Sequence, residues 1–170
     1  MSSETGLSYT MRGDMKKITL LLPLLALFTG CGLTGGPEEI AIKQMVTTFI
    51  AAIDKNDKDL AYACLLDMNS FMVLNPDAAA RLDADSFSEE VIADLVHEFQ
   101  YLVGHFEGHT LKVKKFYLGT PWYQYKGYSA FVDSDVVLSV DGEDVTLPIR
   151  GIVRIGDRWR IVDLSGIDLY

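Results

Sequence analysis

The sequence predicts an α+β fold, with N-terminal helices packed on a curved antiparallel sheet. Three observations carry this reading. Apolar residues recur with a helical period between Pro37 and Phe106, and from Thr110 onward the period falls to two. Asp141-Gly142 separates two β-rich runs and is a residue pair favoured in tight hairpins. A second tight turn, Gly156-Asp157, follows one strand later, which makes the strands a meander whose helices cover one sheet face.

The elements follow in chain order. Pro37-Glu38-Glu39 opens the first helix, because proline suits the first helical position and acids suit the positive end of the helix dipole. Ile42, Met45, Val46, Phe49 and Ile53 then share one face, and Asp54-Lys55-Asn56 stops the helix. A second helix is expected from Asp57 to Leu66, with Leu60, Ala61, Cys64 and Leu65 inward. Between Met68 and Leu82 the pattern is irregular; Asn75-Pro76 marks a turn, and Asp77 to Arg81 reads as a helical turn. Ser86-Phe87-Ser88-Glu89 has the form of a capping box, and the helix it starts carries a stripe of Phe87, Val91, Ile92, Leu95, Phe99, Leu102, Val103 and Phe106. Strands are expected at Thr110–Leu118, Tyr128–Val140, Val145–Ile155 and Arg158–Leu164.

Composition narrows the function classes. The chain has 170 residues, 49% hydrophobic and 23% charged, which suits a globular domain and excludes a disordered chain. Its net charge of −9 argues against nucleic acid as a partner. Two cysteines are too few for a disulfide scaffold. The acid is uneven: Cys31 to Gly108 holds 14 acidic and 4 basic residues, whereas His109 to Tyr170 holds 8 of each.

The first part of the chain reads as an address. Lys16-Lys17 precede an uncharged run from Ile18 to Phe28, and Gly30-Cys31 follow it. A basic start, a short apolar run and a small-residue cleavage site make a secretory signal. The run is shorter than the ~20 residues of a membrane-spanning helix, and Pro23 interrupts it. Leu27-Phe28-Thr29-Gly30-Cys31 resembles the lipobox of bacterial lipoproteins, with Phe28 where that family usually has Leu. The resemblance implies cleavage between Gly30 and Cys31 and acylation of Cys31, which becomes the new N-terminus in the lipid bilayer. It also implies a location in the cell envelope. In a Gram-negative host, Gly32 after the lipid cysteine implies the periplasmic face of the outer membrane. The expected organisation is an upstream extension over residues 1–14, a signal over 15–30, a lipidated cysteine and tether over 31–36, and a folded domain over 37–170. Met1, Met11 and Met15 are the available starts, and Met15 gives the usual shape of a signal. With Cys31 acylated, Cys64 is the one remaining thiol, in an apolar helical setting that suits a buried small hydrophobe.

The Phe49–Asp57 helix-turn and the closing Gly156-Asp157-Arg158-Trp159-Arg160-Ile161 strand are similar to the cystatin-like cone of the nuclear transport factor two superfamily. The similarity covers about residues 37–167 and implies an apolar cone between helices and sheet. That superfamily holds isomerases, dehydratases and many non-catalytic binding and assembly modules, so the fold alone names no activity.

Candidate residues are few. Its cone enzymes use a buried aspartate, and Asp163 is the candidate here: period two places it on the face of Trp159 and Ile161, where a carboxylate in an apolar cavity gains a raised pKa. The competing role for Asp163 is to cap the turn before Leu164-Ser165-Gly166. Tyr101 and Tyr128 supply hydroxyls or edge the core. Trp122, Tyr123 and Tyr125 lie between Gly119 and Gly127 and suit a sugar, peptide or protein contact, or else a rim over the cone mouth. Arg150 and Arg154 suit surface ion pairs or an acidic ligand. His97, His105 and His109 lack the spacing of a metal site, and neither a metal nor another cofactor is expected. The leading expectation is a non-catalytic, membrane-anchored lipoprotein whose domain binds an envelope protein or a small apolar ligand. The alternatives are an isomerase- or dehydratase-type enzyme using Asp163, and an assembly subunit that forms a homodimer through its sheet face.

Overall fold

A computed structural model describes residues 36–79, 81, 83–122 and 128–165. All of these belong to one compact unit, Gly35–Tyr170. Among the described residues, six helices precede and flank a five-stranded antiparallel sheet, which bears out the α+β expectation. The helices are α1 (Pro37–Lys55), α2 (Lys58–Tyr62), α3 (Met68–Leu74), α4 (Pro76–Ala79), α5 (Ala84–Glu90) and α6 (Ala93–His105). The strands are β1 (Leu111–Tyr117), β2 (Thr120–Pro121), β3 (Ala130–Val140), β4 (Glu143–Ile155) and β5 (Arg158–Asp163). The sheet runs β1-β3-β4-β5, and β2 pairs with the start of β3 beside β1.

α1 forms as its sequence requires. Pro37 fills the first turn with Glu38 and Glu39, and Asn56 closes the last turn in the left-handed conformation (φ 50°). Its buried face of Ile42, Val46, Phe49 and Ile53 packs on β1 and β5, so the helix crosses the whole width of the sheet. Val136 and Leu138 of β3 and Leu147 and Ile149 of β4 join the helices in one core, Val136 opposite Leu147, all fully buried. Phe99 of α6 meets Phe49 of α1, ring centroids 6.1 Å apart.

The long helix expected from Ser86 to Phe106 is two helices. Asp83, not Ser86, caps the first, its carboxylate accepting from Ser86 N–H at 2.9 Å. The break falls at Val91-Ile92, two adjacent β-branched residues with low helix propensity, where Ile92 N–H donates five residues back to Phe87 O (3.3 Å). The helix expected to reach Leu66 ends at Tyr62 instead. Residues 64–66 extend along the outer edge of β5: Ile161 N–H donates to Cys64 O (2.9 Å), and Leu66 N–H to Ile161 O (3.0 Å). Ile161 is fully buried, so its backbone groups need partners, and this segment supplies them. The 68–82 region, irregular in sequence, contains α3, capped by Asp67 (Ser70 N–H to Oδ1, 2.8 Å), and the single turn α4.

At the hairpin, Asp141 and Gly142 take φ of 50° and 100°, as the tight turn between β3 and β4 demands. The open edge, β1, carries Lys112, Lys114 and Lys115 and a register shift between Val113 and Lys115. Both features blunt a strand edge against pairing with another chain.

Candidate functional site

Two regions collect the chemistry-bearing side chains. The first is a buried charge pair. Arg160 is the one charged residue among the described residues that is buried in the core. Its Nε and Nη2 donate to Asp67 Oδ2 (3.2 and 3.1 Å), and Nη1 donates to Ala63 O (2.7 Å). Partial burial works to raise the Asp67 carboxyl, but the Ser70 N–H and the Arg160 guanidinium outweigh it and hold the group below its ordinary value. The pair thus staples the 63–67 segment to β5, each guanidinium nitrogen bonding a protein oxygen. Beside it, Cys64 is buried, its thiol directed at Met45 O and Leu60 O (3.6 and 3.5 Å). Desolvation pushes its pKa up to about 11, with Arg160 pulling weakly the other way, so the thiol is protonated and inert at neutral pH.

The second region is a polar–aromatic end of the sheet. Gly119 makes it possible. Its N–H bonds the buried Ser134 hydroxyl (3.1 Å), and a Cβ there would lie 1.9 Å from Val132 O. Only glycine lets the chain approach β3 so closely. β2 then pairs with Phe131 and Val132, and Trp122 N–H donates to Ala130 O (2.7 Å). Tyr128 packs against the core with its ring, and its hydroxyl donates to Val73 O at the end of α3 (3.1 Å). Ser129 O accepts from Arg154 N–H (2.8 Å), and the Arg154 guanidinium holds Glu38 in the first turn of α1 (2.9 Å). Trp122, Tyr128, Val73, Arg154 and the start of α1 therefore gather at one end of the domain. Trp122 is 46% exposed and Val73 53%.

Asp163 sits differently from the sequence expectation. The register slips by one between Gly151 and Ile152: Ile152 lies opposite Ile161, but Gly151 lies opposite Asp163. Adjacent residues of β4 face opposite ways, so Asp163 faces away from Ile161 rather than sharing its side. Gly151 permits this bulge, since a Cβ there would lie 2.9 Å from Val162 Cγ2 and 3.0 Å from Asp163 Cβ. Asp163 is half-buried and accepts from Ser165 N–H (2.8 Å), the contact of a turn cap.

The other candidates are scattered. Tyr101 stands on α6 with its ring against His105 (5.9 Å). Arg150 pairs with Asp133 across the sheet surface (3.0 Å), where Asp133 takes φ 56° and bends β3. His109 Nδ1 meets Asp141 Oδ2 (2.6 Å) and joins the α6–β1 connection to the hairpin; that hydrogen bond holds the Asp141 carboxyl below its usual range. Gly30, Cys31, Tyr123 and Tyr125 lie outside the described residues. Among the described residues no group of three or more His, Cys, Asp or Glu is placed to hold a metal ion, and no buried side-chain nitrogen or oxygen lacks a hydrogen-bond partner.

Neither a family model, nor a curated protein, nor a solved structure matches this chain.

The Arg160–Asp67 staple escaped the sequence reading, which placed residues 63–67 inside or just beyond a helix. The available signal was Asp67-Met68-Asn69-Ser70, a capping residue three positions before Ser70 that announces a new helix rather than the end of one.

Proposed function

We propose that this chain is a lipid-anchored protein of the bacterial cell envelope whose α+β domain is a non-catalytic binding module of the cystatin-like cone type. The observation that carries the anchor is the order of Lys16-Lys17, the apolar run to Phe28, and Leu27-Phe28-Thr29-Gly30-Cys31, six residues before the first helix of the folded domain. Five residues with three glycines, Gly32 to Gly36, serve as the tether. Among the described residues no helix is long and apolar enough to cross a membrane, so the acylated cysteine carries the attachment in this reading.

Three features favour binding over catalysis. The buried polar residues, Ser134 and Arg160, are both committed to structural contacts. Asp163 faces away from Ile161 and holds a turn. Cys64 is desolvated and protonated. Exposed Trp122, Val73 and Met72 are suited to contact rather than to proton or group transfer. The mass of the purified protein tests the anchor: the reading expects a chain that begins at Cys31 and carries acyl groups. A mature chain beginning elsewhere, or Cys31 without acyl groups, overturns it.

A further inference from the structure

The lipid attachment and the exposed aromatic end of the domain are linked by geometry. Cys31 and Pro37 are six residues apart, so a fully extended tether reaches at most ~21 Å. A folded unit of this size has a radius of gyration of about 14 Å, hence a diameter larger than that reach. The start of α1 must therefore stay on the side of the domain nearest the bilayer. That start is where Glu38 pairs with Arg154, whose own N–H bonds Ser129 O. Tyr128 is the next residue, its hydroxyl on Val73 O, and Trp122 bonds Ala130 O on the neighbouring strand.

Charge points the same way. The chain has 24 acidic residues, yet from Gly108 to Val132 there is none. The segment that brings Trp122 and Tyr128 to this end is thus free of the charge that anionic headgroups would repel. Two acids at this end have basic neighbours: Glu38 is paired by Arg154, and Asp157 in the adjoining β4–β5 turn lies 4.0 Å from Arg158. Tryptophan and tyrosine are the side chains that settle at headgroup level, with an apolar body and a polar tip. Exposed Val73 and Met72 add aliphatic surface beside them.

We propose that the end of the domain carrying Trp122, Tyr128, Val73 and Arg154 rests on the headgroups of the membrane that holds Cys31. The proposal rests on the anchor reading above. It makes the lipid a second, local contact that fixes the domain's orientation, so that the hairpin at Asp141-Gly142 and the far end of α1 point away from the bilayer.

Quenching of tryptophan fluorescence tests this. Trp122 is exposed and Trp159 is buried (6%), so a headgroup-level doxyl lipid reaches only Trp122 if the domain docks as proposed. Purified full chain is reconstituted in phosphatidylethanolamine/phosphatidylglycerol vesicles containing that lipid. If its mass shows acyl groups, it is used directly; if not, Cys31 is joined to a maleimide lipid, since Cys64 is buried and protonated. The mass thus reports on the anchor and the quenching on the docking, separately. In either arm the expected result is a clear emission loss in wild type and little or no loss in Trp122→Phe, whose one tryptophan, Trp159, is buried. Equal loss in the two proteins overturns the proposal and leaves this end free for a protein partner. Trp122 is on the surface, so the variant is expected to fold; an unchanged circular dichroism spectrum verifies that.

Discussion

Arg160 and Asp67 show how a single buried charge sets the local chain path. The guanidinium is buried and the carboxylate is partly exposed, so the pair is asymmetric: removing the carboxylate strands a charge in the core. Asp67→Asn keeps the cap on α3 but leaves Arg160 uncompensated, and urea denaturation should show a loss of about 2 kcal/mol. Because the Asp67 carboxyl is held below its ordinary value, its contribution is present above that value and is lost as pH falls through the folded one. Cys64 runs the opposite way. Its folded pKa of about 11 lies above the ordinary 9.0, so its contribution is complete below pH 9 and is lost as pH rises toward 11. Wild type should therefore lose stability over that window more steeply than Cys64→Ala, measured by thermal denaturation. Cys64 was legible as a buried thiol from its apolar neighbours. The turn-capping role of Asp163 was legible, but its side of the strand was not, because alternation counts residues and the bulge opposite Gly151 inserts one that no periodicity reveals.

At the level of elements, strong local chemistry was readable and tertiary override was not. α1 begins at Pro37, within the expected first turn, and the Asp141-Gly142 hairpin joins β3 and β4 as expected, since proline, acids and the Asp-Gly pair act through their own backbone. Gly142 sits at φ 100°, so Gly142→Ala should cost about 1 kcal/mol and lower the melting temperature by about 3–5 °C. Gly119 is a harsher case, because a methyl group there would meet the backbone of β3. Gly119→Ala should push β2 and Trp122 off the sheet, seen as increased acrylamide quenching of Trp122 with Trp159 still protected. The early end of α2 was not readable, because residues 64–66 satisfy a partner distant in sequence, the edge of β5, whereas the break at Val91-Ile92 had a local signal in two adjacent β-branched residues that the continuous apolar stripe masked. α3 carried a local signal, the Asp67 cap that accepts from Ser70 N–H; what was not readable was the second partner of that carboxylate, Arg160 of β5.

For the whole molecule, the sheet closes both of its edges in different ways. Residues 64–66 cover β5, and lysines with a register shift guard β1. Adding further strands at either edge is thereby disfavoured, which directs association to surfaces rather than edges. The acid is concentrated between Cys31 and Gly108, and the stretch from Gly108 to Val132 has none. This asymmetry was visible in the sequence, but its meaning depends on the fold, which brings the end of that stretch beside the start of α1 through Arg154 and Ser129. In the proposed function, tethering and orientation become one question with Cys31 at its root. The most direct measurement is metabolic labelling with a radioactive fatty acid in cells producing wild type and Cys31→Ala. Label is expected in the wild-type protein and none in the variant. Equal labelling of both, or no label in wild type, would contradict it.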